Sequence, residues 1–154
     1  MIRYEFRQPE GDTASQLISL SEQWAAEGCA YGITKNTAGD LKEPLLTALD
    51  NGQIIGYIFG HFYVQERETS WIQQGSRCFS VDELYVLPEY RGQGTGKTLF
   101  RMMEEKISGS CDYITLSTST KNYKSILKLY IEELGMLFHS AFLMKQTDTG
   151  EENK

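Results

Sequence analysis

Ile2, Tyr4 and Phe6 alternate with Arg3, Glu5 and Arg7, the period of two that marks a half-buried strand. Pro9–Gly11 ends it. Asp12 or Thr13 can cap a helix reaching about Glu27, with Leu17, Leu20 and Trp24 on one face and Gly28 as its stop. Positions 31–43 are polar, contain Gly32 and Gly39, and read as a loop with a short helical turn. Two strands follow, Leu45–Leu49 and Gln53–Val64, joined at Asp50-Asn51-Gly52, because Asn-Gly tolerates the positive φ angles of a tight hairpin. After the polar stretch 65–76, Cys78–Leu87 is a fourth strand stopped by Pro88. Leu99, Met102, Met103 and Lys106 set the period of a helix over Thr95–Ile107, with Gly109 beyond its end. A fifth strand is predicted at Tyr113–Thr118, a third helix at Tyr123–Leu134 before Gly135, and a final strand region at Met136–Gln146. The order β, α, β-β-β, α, β, α, β is mixed α/β, in one domain spanning 1–146. The polar tail 147–154 is expected to be disordered.

Composition narrows the class without choosing a function. The 154 residues are 40% hydrophobic and 23% charged, a globular balance with enough chain for a real core. A net charge of −6 and a pI near 5.0 argue against broad nucleic-acid binding, which needs a basic face. Cys29, Cys78 and Cys111 are odd in number and form no C-x-x-C pair, so they read as small buried hydrophobes and no metal is expected. His61 and His139 lie at no metal-ligand spacing and read as structural. No apolar run approaches the roughly 20 residues that cross a bilayer. Met1–Pro9 lacks a signal peptide's apolar core, so a cytoplasmic protein without a membrane partner is expected.

The most informative stretch is Val81–Leu99, VDELYVLPEYRGQGTGKTL. A strand ends at Pro88, and Arg91-Gly92-Gln93-Gly94-Thr95-Gly96 leads into a helix. Glycines at alternate positions let main-chain N–H groups converge, and the helix aims its unpaired N–H groups and positive dipole end at the same place. Such a turn binds phosphate or pyrophosphate. Two rivals fail on residues. A P-loop, G-x-x-x-x-G-K-[ST], would share Gly96-Lys97-Thr98 but needs glycine where Arg91 stands. The dinucleotide fingerprint G-x-G-x-x-G would begin at Gly92 and Gly94 but meets Lys97 at its last position. A nucleotide hydrolase therefore rests on Gly96-Lys97-Thr98 alone, and no Mg²⁺-dependent ATP or GTP binding is expected.

The pattern R-x-x-G-x-G, Arg91 to Gly96, after a strand and before a helix, resembles the pyrophosphate-binding signature of the GCN5-related N-acetyltransferase (GNAT) family. The resemblance is close from Cys78 through the helix after the turn and looser over Tyr113–Gly135. It implies a central mixed, mostly antiparallel sheet flanked by helices and splayed between strands 4 and 5. It implies acetyl-CoA as cosubstrate, with the pyrophosphate held by Arg91, Gly92, Gln93, Gly94, Thr95, Gly96, Lys97 and Thr98. The backbones of Leu84, Tyr85 and Val86 would pair with the pantetheine arm, and the Val86 N–H would face the developing oxyanion.

An amine acceptor arrives protonated, so the reaction needs a base. Family resemblance points to Asp82 first and Glu83 second. Their side chains leave opposite faces of a regular strand, and only a bulge would bring both to one side. A tyrosine that protonates the departing thiolate corresponds to Tyr130, within Leu129-Tyr130 and ahead of Gly135. Tyr130 precedes that glycine by five residues rather than the family's four, and Asn122, a pantetheine contact in the family pattern, is likewise displaced by one. One residue turns a helix by about 100°. Phe138, Phe142 and Met144 read as core, and Trp24 and Tyr31 as packing residues in the region that covers the acceptor. The acceptor is left open, a small-molecule amine being favoured over a protein N-terminus, and dimers are common in the family. The alternative is a non-catalytic acyl-CoA-binding or sensor module of the same fold.

Overall fold

The computed structural model describes residues 1–148. Five strands form one sheet in sequential order: β1 (Arg3–Arg7), β2 (Leu45–Asp50), β3 (Gln53–Val64), β4 (Arg77–Val86) and β5 (Tyr113–Thr115). The first four are antiparallel neighbours, and β5 joins β4 in parallel. Asn51 and Gly52, both at positive φ (49° and 81°), make the predicted β2–β3 turn.

Helix α1 (Gly11–Glu27) lies on one face of the sheet and α2 (Thr95–Ile107) on the other. Leu17 and Leu20 of α1 pack on Leu45, Leu49, Tyr57, Phe59 and Tyr85. Leu99, Phe100, Met103 and Ile107 of α2 pack on Leu46, Ala48, Ile55, Ile58 and Phe79. The alternation of Tyr57 and Phe59 with Ile58 is the period of two that divides one strand between two cores. A helix α3 (Tyr123–Leu127) runs into a π-helical turn, Lys128–Glu133, closed by Gly135 at φ 73°.

The sheet is splayed where the signature expects it. β5 pairs with Cys78, Phe79 and Ser80 only, so from Val81 to Val86 one edge of β4 has no neighbouring strand among the described residues. The strand expected over Tyr113–Thr118 thus stops at Thr115 as the chain diverges.

Other expectations are corrected. No strand forms over Met136–Gln146: the segment holds no turn signal for a hairpin, and β5 offers only three residues to pair with. Phe138, Phe142 and Met144 are accordingly exposed rather than core. Helix α1 starts at Gly11 behind Glu10, with no side-chain cap from Asp12 or Thr13. Of the cysteines only Cys78 is buried, while Cys29 and Cys111 are half-buried. The polar loop before β2 does contain a short helical turn, Ala38–Asp40. Residues 149–154 of the expected tail lie outside the described residues. Among the described residues no helix is long and apolar enough to cross a membrane.

Candidate active site

The turn after β4 brings main-chain N–H groups together at the start of α2, the form of a candidate anion seat. Pro88–Tyr90 form one 3-10 turn, and Gly92 and Gly94 follow at φ 74° and 83°, a region that side-chain-bearing residues enter at a cost of about 1 kcal/mol or more. Gly94 is the N-cap of α2, and the first bond into the helix is Thr98 N–H to Gly94 O at 3.0 Å. The amides of Thr95, Gly96 and Lys97 precede it, so they have no intrahelical acceptor and point along the positive end of the helix dipole. A Cβ on Gly94 would meet nothing within 4 Å, so the space in front of the helix is open, as a bound phosphoryl group requires.

Arg91 is held rather than free. Its Nε donates to Val86 O at 2.8 Å, its Nη2 donates to both carboxylate oxygens of Glu27 (2.8 and 2.9 Å), and its guanidinium lies over the Tyr85 ring. Tyr85 O–H donates to Glu27 Oε1 at 2.6 Å, and Trp24 stacks on Tyr85 with ring centroids 5.1 Å apart. Burial and the Glu27 carboxylate push the Tyr85 phenol well above its usual range. The C-terminus of α1 is thereby tied to the turn. Trp24 is a packing residue, as expected. Farther along, Lys97 reaches Glu133 at 3.6 Å, and Thr95 is buried.

The free edge of β4 meets this turn. Leu87 N–H donates to Ile55 O at 2.9 Å, so by antiparallel alternation Tyr85 and Glu83 face β3 with their amides. Leu84 and Val86 turn theirs toward the side that β5 has left. Two of the three backbones named from sequence therefore lie on the open edge, and Tyr85 contributes its ring instead.

Between Phe59 and Gly60 the β3–β4 register slips: Phe59 faces Glu83, Gly60 faces Val81, and Asp82 is the extra residue of a bulge. Phe79 and Val81 point to the α2 side, yet Tyr85, an even number of residues on, points to the α1 side. A one-residue bulge reverses the alternation, and it brings Asp82 and Glu83 to the same face. Asp82 Oδ2 accepts from His61 Nδ1 at 2.8 Å and from Lys42 Nζ at 3.1 Å. Glu83 accepts from Asn36 Nδ2 at 2.9 and 2.8 Å and from Tyr57 O–H at 2.9 Å. Burial pushes the Glu83 carboxyl up, against the pull of those hydrogen bonds. Where β5 diverges, His61, Tyr63, Ser80, Thr115, Leu116 and Ser117 line a cleft of about 370 Å³.

The sequence profile of the Acetyltransferase (GNAT) family matches residues 12–136, more than half of the chain. The chain belongs to the GNAT acetyltransferase family. A search of curated proteins gives no match. Among solved structures, a ribosomal-protein-alanine N-acetyltransferase from Brucella melitensis biovar Abortus 2308 superposes with a TM-score of 0.64 at 20% identity, covering 94% of this chain and 99% of that one. An aminoglycoside acetyltransferase from an uncultured soil metagenomic sample gives 0.67 at 16% identity, over 96% and 99%. A "predicted acetyltransferase with acetyl-CoA" from Clostridium acetobutylicum gives 0.66 at 18%, over 95% and 96%. At these identities the likeness is one of fold.

On this GNAT frame the one-residue excess before Gly135 has a visible location. Leu134 N–H donates to Leu129 O, a bond five residues long, and Met136 N–H reaches Tyr130 O, both at 2.9 Å. The π segment Lys128–Glu133 takes up an extra residue around Tyr130, which lies inside it. Tyr130 packs against Phe100 (centroids 6.0 Å apart), and burial pushes its phenol up to about 12. Its hydroxyl has no hydrogen-bond partner among the described residues. Asn122 flanks the start of α3, and its N–H donates to Thr120 Oγ1. Tyr31 is exposed beside Lys121. His61, read as structural, lies beside Asp82 and lines the cleft, a placement sequence reasoning did not foresee. Its signal was spatial: only the β3–β4 register puts it beside Asp82. Among the described residues no group of three or more His, Cys, Asp or Glu could hold a metal ion.

Proposed function

We propose that this protein is an acetyl-CoA-dependent N-acetyltransferase that acetylates a primary amine of a small molecule by direct attack within a ternary complex. The observation that carries the reading is the continuity of the open β4 edge with the glycine turn at the start of α2. A linear ligand with hydrogen-bonding amides at one end and a pyrophosphate at the other fits that continuous row of main-chain groups. The neighbour described with acetyl-CoA supports this choice of cosubstrate, and the ribosomal-protein-alanine N-acetyltransferase and the aminoglycoside acetyltransferase, named for different acceptors, support acetyl transfer to an amine.

When bound, the cosubstrate supplies an acetyl thioester. The amides of Thr95, Gly96 and Lys97 hold its pyrophosphate, while Leu84 and Val86 offer edge groups to its arm. A main-chain N–H fixed on that edge stabilises negative charge developing on the acetyl oxygen without reorganising. Val86 N–H has that role, and its carbonyl is already fixed by Arg91. The carboxylates on the bulge give the acceptor face a negative character that draws a cationic amine. Tyr130 stays protonated across neutral pH and donates to the leaving sulfur.

Thiol release from acetyl-CoA against a panel of primary amines tests the reading. Release that depends on both protein and amine is expected. Acetyl-CoA binding with no release for any amine would contradict it and favour the sensor module.

A further inference from the structure

We infer that His61 is the catalytic base of this site and that Asp82, first in line for that role by sequence, is its positioning residue. The inference rests on the N-acetyltransferase reading and names the group that takes the proton.

The geometry is specific. An ionised carboxylate can only accept, so Asp82 Oδ2 at 2.8 Å fixes the proton of neutral His61 on Nδ1. The Nε2 lone pair is then unprotonated, and no group among the described residues is hydrogen-bonded to it. His61 lines the cleft at the β4–β5 divergence with its side chain 43% exposed, whereas Asp82 is 21% exposed and does not line it. Asp82 is also occupied, with Lys42 Nζ on the same oxygen and Ser80 Oγ 3.4 Å from the other. Glu83 is occupied on both oxygens by Asn36 and Tyr57. Of the three titratable groups on the bulge face, only the imidazole presents a free acceptor atom to the cleft. The charged and titratable groups around it are Asp82 from β4, Lys42 from the loop before β2 and Tyr63 from its own strand, whose ring lies 6.0 Å away and whose O–H is bonded to Thr115 Oγ1. A carboxylate that orients an imidazole and sets its tautomer is the arrangement by which other enzymes make histidine a base.

The step balances as follows. His61 Nε2 takes one proton from the ammonium of the acceptor. The freed nitrogen lone pair forms the N–C bond to the acetyl carbon as the C–S bond breaks, and the sulfur leaves with that bond's electron pair. The second amine proton is lost as the amide forms, the thiolate gains a proton, and His61 returns its own to solvent. Ammonium and acetyl-CoA thus give amide, free thiol and one proton.

The pH dependence of kcat/KM for an amine found by thiol release tests this on wild type, His61→Gln, Asp82→Asn and Glu83→Gln, with acetyl-CoA affinity measured by calorimetry alongside. His61→Gln is expected to lower kcat/KM by about 10²-fold, within the range usual for loss of a general base, and to abolish the acid limb. Its acetyl-CoA affinity should be unchanged. Asp82→Asn should lower kcat/KM and displace the limb rather than remove it, which a purely structural role would not do. An active wild type whose acid limb survives His61→Gln and vanishes in Glu83→Gln would overturn the inference alone. A wild type that releases thiol with no amine would remove the acetyltransferase reading and the base with it. If His61→Gln fails to fold, the ¹⁵N shifts of the wild-type imidazole decide: an Nδ1-protonated neutral ring supports the assignment, and an Nε2-protonated one overturns it.

Discussion

Glu83 shows how one residue's surroundings set its chemistry. It sits on a strand beside a buried tyrosine, and burial outweighs the hydrogen bonds from Asn36 and Tyr57, so its carboxyl holds its proton to higher pH than a free glutamate. A group whose pKa rises on folding stabilises the fold fully below its unfolded value and loses that contribution as pH climbs through the folded value. The thermal midpoint of wild type, relative to Glu83→Gln, is therefore expected to fall as pH is raised from about 4 to about 7. Parallel melting curves check it, and a difference that stays flat or grows would show that burial does not dominate. The sequence displayed Asp82-Glu83 as an acidic pair but not their inequality. That inequality arises from Tyr57, Asn36, His61 and Lys42, residues 21 to 47 positions away in the chain.

At the scale of elements, the helix at 123–134 was legible in its limits but not in its form. Counting from Gly135 revealed one residue too many, and only the five-residue bonding pattern that ends at Leu134 reveals that the excess is stored as a π turn around Tyr130. The strand bulge at Asp82 is the same kind of event in β structure: one extra residue, which alternation of apolar positions could suggest but pairing with β3 had to locate. The form of the glycine turn was read most completely, because main-chain geometry is what glycine spacing reports directly. The predicted last strand failed for the converse reason. Leu137, Phe138, Phe142 and Leu143 are apolar enough for a strand, but apolarity alone supplies no partner. In the proposed mechanism the π turn bears on catalysis through Tyr130, whose phenol burial pushes up to about 12. Tyr130→Phe is expected to lower kcat by about 10²-fold while the acetyl-CoA KM and the melting temperature stay nearly constant, since the hydroxyl has no partner among the described residues to lose. Steady-state kinetics beside a melting curve check it, and an unaltered kcat would remove Tyr130 from the proton path.

The molecule as a whole is a sheet between two helices whose fourth strand is left bare along half its length. α1 reaches the bare edge through Glu27 and Arg91, and α2 points its first turn at the same region, so both cores converge on one line of main-chain groups. Fold and family were legible in the sequence because hydrophobic period and glycine spacing are local signals. The identity of the acceptor was not, because its walls come from segments joined only in three dimensions. Calorimetric titration of acetyl-CoA into wild type and Gly94→Glu tests that convergence most directly. A glutamate there projects a carboxylate into the open space in front of the helix, where no atom of the described residues beyond the chain neighbours lies within 4 Å of the new Cβ. Wild type is expected to bind, and the variant, its fold verified by circular dichroism, to lose at least about 10²-fold in affinity, roughly 2.7 kcal/mol. Equal affinity in the two proteins would contradict the account.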